Sequence, residues 1–146
     1  MNDNLIWIPF NVPSSKNSRI NTSRGSFMSK TSKAYITKLG IQSYSSSKQE
    51  VKGYVNRPNL IEQLRTQFEK NIKGKVLPLE IGFHFVRDSR RKIDFHNIVQ
   101  IILDLLTAHN IIDDDNMDCV LPYALKIENN AYSIDKENPG VWIKIN

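Results

Sequence analysis

The chain has 146 residues, with twenty Lys and Arg against fifteen Asp and Glu, and a formal net charge of +5. That length fits one domain with a real core. Cys119 is the single cysteine, which excludes an intrachain disulfide framework, and no stretch approaches the roughly 18 apolar residues of a membrane span. A cytoplasmic location without membrane contact is the expectation, because a lone cysteine suits a reducing compartment and no basic-then-apolar secretion signal opens the chain.

Charge is unevenly placed. From Asn4 to Gln49 there is no acid, yet Lys16, Arg19, Arg24, Lys30, Lys33, Lys38 and Lys48 all fall there among serines, asparagines and threonines. A second basic cluster, Arg87, Arg90, Arg91 and Lys92, immediately precedes Asp94. Cations interleaved with small polar donors suit a phosphate backbone. The plainer alternative is a solvated surface; the nearby acids favour nucleic acid.

In chain order, Leu5 to Phe10 reads as a short strand edged by Pro9. Val12 to Phe27 reads as a polar loop, and residues 11–33 as a whole are expected to be basic and mobile. Lys30 to Tyr44 has loosely helical spacing weakened by Gly40. Pro58 opens a clearer helix with Leu60, Ile61, Leu64 and Phe68 on one face. Val76 to Val86 alternates around Leu77, Leu79, Ile81, Phe83 and Phe85, which predicts a strand with one buried face. After a basic loop, Asp94 is placed to N-cap a helix from Phe95 to His109, and Asn110 to end it in a left-handed conformation. Val120 to Ile127 and Gly140 to Ile145 read as a closing hairpin with a long loop. The fold class is α+β: a single small mixed sheet with helices packed on it.

The chemistry concentrates around the second helix. Asp94 opens it, and Asp113, Asp114, Asp115 and Asp118 follow its end. The helix rises about 1.5 Å per residue, so the two acidic groups meet only if the chain folds back along it. Clustered carboxylates repel, and a divalent metal is their usual companion. Asn97, Gln100 and Asp104 form one polar stripe on an otherwise apolar helix, and His96 pairs with Gln100 at i, i+4. That stripe lines a cleft or simply faces water. Calcium-loop spacing fails at Met117, and His84, His96 and His109 lack zinc-ligand spacing.

The stretch from Arg91 to Asp118 resembles the RusA-type Holliday-junction resolvases, small phage and prophage endonucleases. Their signature is Asp-x-Asp-Asn followed three residues on by lysine, then a mid-helix aspartate and a turn ending in paired aspartates. Asp94 matches the first aspartate, Asn97 the asparagine, Asp104 the mid-helix aspartate, and Asp114 with Asp115 the closing pair. Ile8-Pro9 and Pro13-Ser14-Ser15-Lys16-Asn17-Ser18 resemble the family's opening strand and loop. The motif covers 28 residues, from Arg91 to Asp118, and a weaker similarity in element order covers most of the chain. Two positions depart from it: His96 stands for the second aspartate and Gln100 for the lysine. Histidine brings no negative charge and favours Mn²⁺ over Mg²⁺; glutamine cannot neutralise charge.

The resemblance implies a RusA-like nuclease domain spanning residues 1–146 and acting on branched DNA, a four-way junction above all, in recombination. It implies Mg²⁺ or Mn²⁺ held by Asp94 and Asp115, with Asp114 and His96 as further ligands, Gln100 beside the reaction and Asn97 and Asp104 in support. Lys16, Asn17, Arg19, Arg24, Lys30, Lys33, Arg90, Arg91 and Lys92 are the expected DNA contacts. A homodimer is also implied, with Phe95, Ile101, Trp142 and the strand from Val120 as interface candidates. The alternative is a catalytically impaired branched-DNA-binding protein on the same fold, and a third class is an interaction module using the acidic turn.

Overall fold

A computed structural model of the protein describes residues 4–14, 34, 35, 39 and 60–146, and the backbone alone at 19–22 and 25–28. The described elements are strands β1 (Leu5–Pro9), β2 (Arg19–Thr22) and β3 (Gly25–Met28), helix α1 (Leu60–Ile72), strand β4 (Leu79–Arg87), helix α2 (Phe95–Ala108), and strands β5 (Val120–Ala124), β6 (Tyr132–Ile134) and β7 (Gly140–Ile145). The fold is α+β, with an open five-stranded mixed sheet in the order β1-β7-β4-β5 and β6 also paired to β4. Among the described residues no helix is long and apolar enough to cross a membrane.

β4 is the centre. It pairs antiparallel with β7, from Ile81↔Ile145 to Val86↔Gly140, and parallel with β5, from Leu79↔Val120 to Phe83↔Ala124. β6 continues along the β5 side, with Phe85 opposite Tyr132. The expected closing hairpin is therefore wrong: β4 lies between β5 and β7. The reason is burial. Only a strand covered on both faces suits a central place. In β4 every residue but Glu80 is buried, whereas β5 alternates with half-buried and exposed positions as an edge does. The expected extent of β4 also changes, since Val76 and Leu77 are exposed and precede it. The first-strand expectation agrees with β1.

The second face of β4 carries a histidine. His84 is 1% exposed, so both ring nitrogens need partners. Its Nδ1 lies 2.8 Å from the Leu125 carbonyl, and its Nε2 lies 2.6 Å from Ser133 Oγ. A neutral ring donating to the carbonyl and accepting from the hydroxyl satisfies both, and it fastens the chain between β5 and β6 to the sheet. In that connection Glu128 and Asn129 both have positive φ, 51° and 65°, which closes the tight Ile127–Asn130 turn.

The other face holds the core. Ile6 and Ile8 of β1, Ile81, Phe83 and Phe85 of β4, and Val141, Ile143 and Ile145 of β7 share it with Leu64 and Phe68 of α1 and the wide apolar side of α2. Tyr35 and Leu39 join this cluster, with the Leu39 N–H donating to the Tyr35 carbonyl as one helical turn would. The rest of the expected helical stretch around them, and Pro58, lie outside the described residues. Part of the expected polar loop is instead the β2–β3 hairpin, whose register runs from Arg19↔Met28 to Thr22↔Gly25.

α2 ends as its sequence suggests. Asn110 has φ 56°, its N–H donates to Thr107 O, and the Ile111 N–H donates back to Leu106 O at 2.9 Å. That pair of bonds is a Schellman cap, and buried Ile111 meets buried Leu106 in its usual hydrophobic contact. Arg65 of α1 adds a cation at this negative helix end, donating to His109 O at 2.8 Å. Burial, and secondarily the Arg65 charge, lower the His109 pKa from its ordinary 6.5.

Two outcomes test this packing. A Cβ on Gly140 would lie 2.4 Å from the Ile8 carbonyl oxygen, backbone that cannot move aside, whereas one on Gly82 would meet the half-exposed Tyr123 ring at 2.7 Å. Gly140→Ala should therefore cost roughly 2–3 kcal/mol in urea unfolding and Gly82→Ala about 1 kcal/mol. The fold favours neutral His109, so its contribution is complete above the unfolded value of 6.5 and lost as pH falls through the lower folded one. His109→Gln should flatten the loss of melting temperature on acidification from about pH 7 to about pH 5, and an unchanged slope would assign that loss to other groups.

Candidate nucleic-acid and metal site

The site is built on α2 and the two segments that flank it. β4, α2 and β5 form a parallel crossover, which places the start of α2 beside the end of β4. Asp94 occupies the N-cap position with extended backbone, but its side chain makes no capping bond. Its Oδ2 accepts only a long bond, 3.4 Å, from Asn97 Nδ2. The carboxylate is exposed at the N-terminal end of the helix.

At the other end the chain does fold back. Residues 113–118 form a turn in which Asp114 accepts from the Asp115 N–H at 2.8 Å and from Asn116 Nδ2 at 3.1 Å. The bond from the Asp115 N–H is the main reason its carboxyl is held below the ordinary carboxylate range, with the Asp115 side chain and the Asn116 amide adding to it. The turn carries Asp115 to the polar stripe of α2. There Gln100 Nε2 donates to Asp115 Oδ2 at 2.8 Å and to Asp104 Oδ1 at 2.7 Å. The stripe thus begins near Asp94 and Asn97 and reaches Asp115 through Gln100.

Gln100 explains how two carboxylates share this place. Its amide gives one hydrogen to each, so two bonds offset part of their repulsion. A lysine there would neutralise charge as well; glutamine only orders it.

The expected metal ligands divide. Asp94 and Asp115 lie on the α2 face, Asp114 is tied into its own turn, and His96 is exposed on α2. Among the described residues no group of three or more His, Cys, Asp or Glu is gathered to hold a metal ion. Two carboxylates with oxygens to spare still fit Mg²⁺ chemically, because that ion keeps several waters and takes further ligands from phosphate.

The basic side is concentrated around the end of β4. Arg87 is 7% exposed, and its Nη1 donates to the Val12 carbonyl at 3.0 Å. Its Nε is buried without a hydrogen-bond partner among the described residues. Burial lowers its pKa, partly countered by Asp88 and Tyr132. Arg87, Arg91, Lys92, Phe95 and Tyr132 line a recess of about 710 Å³ that also reaches Asp94. Arg90 is exposed on an adjoining cleft with Tyr132 and Ser133. The expected contacts Lys16, Asn17, Arg24, Lys30 and Lys33 lie outside the described residues, and of Arg19 only the backbone is described.

Arg87 was counted among the loop cations, yet it closes β4 on the buried side. The signal was present: position 87 continues the alternation of 79, 81, 83 and 85. Tyr132 had no such signal, since only strand pairing brings it beside Phe85. Two of the expected interface residues are not free, because Ile101 and Val120 are buried within the chain. Trp142 packs on Trp7 at 4.5 Å and Phe95 edge-on to Phe85 at 6.0 Å. In comparisons with known proteins, no family model and no curated protein matches this chain.

Gln100→Ala leaves Asp104 and Asp115 without their shared donor and should lower stability by about 1 kcal/mol in urea unfolding at neutral pH. Gln100→Lys should stabilise by roughly 0.5–1 kcal/mol at low salt, with the gain shrinking at high salt. Destabilisation by the lysine would show that Asp115 is not held beside Asp104 in solution.

Proposed function

We propose that the protein is a Mg²⁺- or Mn²⁺-dependent endonuclease of branched DNA, a RusA-like junction resolvase. The observation that carries this reading is the return of Asp115 to the α2 face that begins at Asp94, with the basic recess beside it. The spacing of Asp94, Asn97, Asp104, Asp114 and Asp115 supports it as well.

Asp94 and Asp115 would hold the metal, which supplies an activated water and neutralises the scissile phosphate. Asn97 donates to Asp94 and Gln100 to Asp115, and each carboxylate would keep an oxygen for the metal. Arg91 and Lys92 draw the strand toward Asp94 and offset the charge of the attacked phosphate. His96, exposed one turn from Gln100, stands ready as an added nitrogen ligand, which favours Mn²⁺. A two-fold homodimer would place one such site on each of two symmetry-related strands of a four-way junction.

A second reading is favoured by Gln100. Its bonds to both Asp104 and Asp115 occupy carboxylate oxygens with a neutral donor, which suits a protein that binds branched DNA without cutting it.

A nicking assay on a synthetic four-way junction, with Mg²⁺ and Mn²⁺ tested separately, decides between them. Cleavage should be faster with Mn²⁺, and Asp94→Asn or Asp115→Asn should reduce it at least about 100-fold while leaving junction affinity within roughly 3-fold. His96→Asp should raise the Mg²⁺ rate. Binding without cleavage in either metal, in the His96→Asp variant too, would establish the second reading.

A further inference from the structure

The recess at the end of β4 has features that a surface for double-stranded DNA does not need. Its volume, about 710 Å³, lies in the range of pockets that enclose a small organic ligand. Three cations, Arg87, Arg91 and Lys92, line it against one carboxylate, Asp94. Three rings line it as well: buried Phe85, Phe95 half-buried against it, and Tyr132, 53% exposed. A large aromatic side chain left open in a cationic recess is the combination that holds a base and its phosphate together.

Arg87 is the second, independent observation. A guanidinium carries five N–H donors and seeks acceptors when buried. Arg87 is more than nine-tenths buried and lines the recess, yet among the described residues its hydrogen-bonding is the single bond to Val12 and its Nε is unsatisfied. The Nε is enclosed, but the guanidinium's charge, met among the described residues by one carbonyl, favours a phosphate placed beside it in the recess.

We propose that this recess binds one unpaired nucleotide of a DNA strand, with its phosphate against Arg87, Arg91 and Lys92 and its base on Tyr132 and Phe95. Base-paired nucleotides are stacked on their neighbours and cannot turn a face to these rings, so the recess selects a nucleotide released from the stack. The proposal rests on the DNA reading above and sharpens it: strands enter beside Asp94 where pairing is interrupted, as at a branch point or flap. Asp94 at the rim repels phosphate, which directs the bound phosphate toward the arginines and leaves the next one along the strand near the carboxylate.

The test is equilibrium binding in EDTA, where no cleavage interferes. A labelled short duplex, fully paired, is compared by fluorescence anisotropy with the same duplex carrying one unpaired thymidine. The unpaired form should bind at least about 5-fold more tightly. Tyr132→Ala, at an exposed position outside the core cluster, should erase most of that preference. Arg91→Ala with Lys92→Ala should flatten the log-affinity against log-salt slope for the unpaired form by roughly 2. With 5-iodouracil at the unpaired position, photocrosslinking should fall on the peptide containing Tyr132. Arg87→Met adds the loss of the buried donor if its melting curve shows that it folds; the Tyr132 result stands without it.

Equal affinity for the two duplexes, or a preference untouched by Tyr132→Ala, overturns the proposal. Competition by thymidine monophosphate without any preference for the unpaired duplex would mark a free-nucleotide pocket and overturn the strand assignment. Competition by inorganic phosphate as strong as by thymidine monophosphate would overturn the base contact. Preference for the unpaired form without metal-dependent cleavage of a four-way junction leaves the pocket standing and sinks the nuclease reading; cleavage without the preference does the reverse.

Discussion

The chain reverses direction at Asn110, and burial of Ile111 and Ile112 holds the reversal. Two consecutive apolar residues just past a helix cannot both stay in water without cost, and the left-handed residue before them turns both into the core. Arg65 reaches across from α1 to the last carbonyls of α2, so the reversal is fastened on both sides. The acidic turn follows from this. Asn116 O accepts from the N–H groups of both Cys119 and Val120, which starts β5, and the Leu79 N–H donating to Cys119 O locks the turn to the base of β4. Asp115 therefore arrives at Gln100 because Ile111 and Ile112 before it and Val120 after it are buried.

β4 sets the other half of the geometry. A central strand must be covered on both sides, and this one accommodates two polar side chains by giving each a different solution. His84 is fully bonded and acts as a fastener for the β5–β6 connection. Arg87, three residues on, has among the described residues one bond, to Val12, and a buried Nε without a partner, and it lines the recess. The contrast follows from position along the strand: His84 lies under the connection that supplies its partners, while Arg87 sits where β4 ends and the chain leaves for α2. Both residues anchor neighbours, since Arg87 holds Val12 and the Asp88 N–H holds the Asn11 side chain at the root of the basic N-terminal segment.

α2 links the two. Cations and an open ring gather at its positive end beside Asp94, and acids gather along its polar stripe further down. Asp94 sits at the positive helix end, while Asp104 and Asp115 share the Gln100 amide. Asp115 is the carboxylate common to the Gln100 bonds and to the proposed metal site, so a charge added at position 100 would act on it.

Much of the architecture was legible in the residues. Periodicity gave β1, α1, α2 and the core face of β4, because side-chain spacing of 2 or 3.6 depends only on local geometry. The end of α2 was legible too, since Asn110 tolerates positive φ on its own account. The acids and the polar stripe stood out by type and spacing, and the condition for their meeting could be stated in advance. Three things awaited the tertiary structure. The partner of each late strand was one, because alternation says which face is buried and nothing about which neighbour buries it. The partner of Arg87 was another: the alternation places residue 87 on the buried side, but only the tertiary structure brings the Val12 carbonyl to its guanidinium. The third was the union of Gln100 with Asp104 and Asp115. An i, i+4 bond is local, but a bond across 15 residues exists only once burial of Ile111 and Ile112 has turned the chain. Short-range periodicity is written into the covalent chain; long-range contact is decided by competition among buried surfaces, and that competition is settled only when the whole core has assembled.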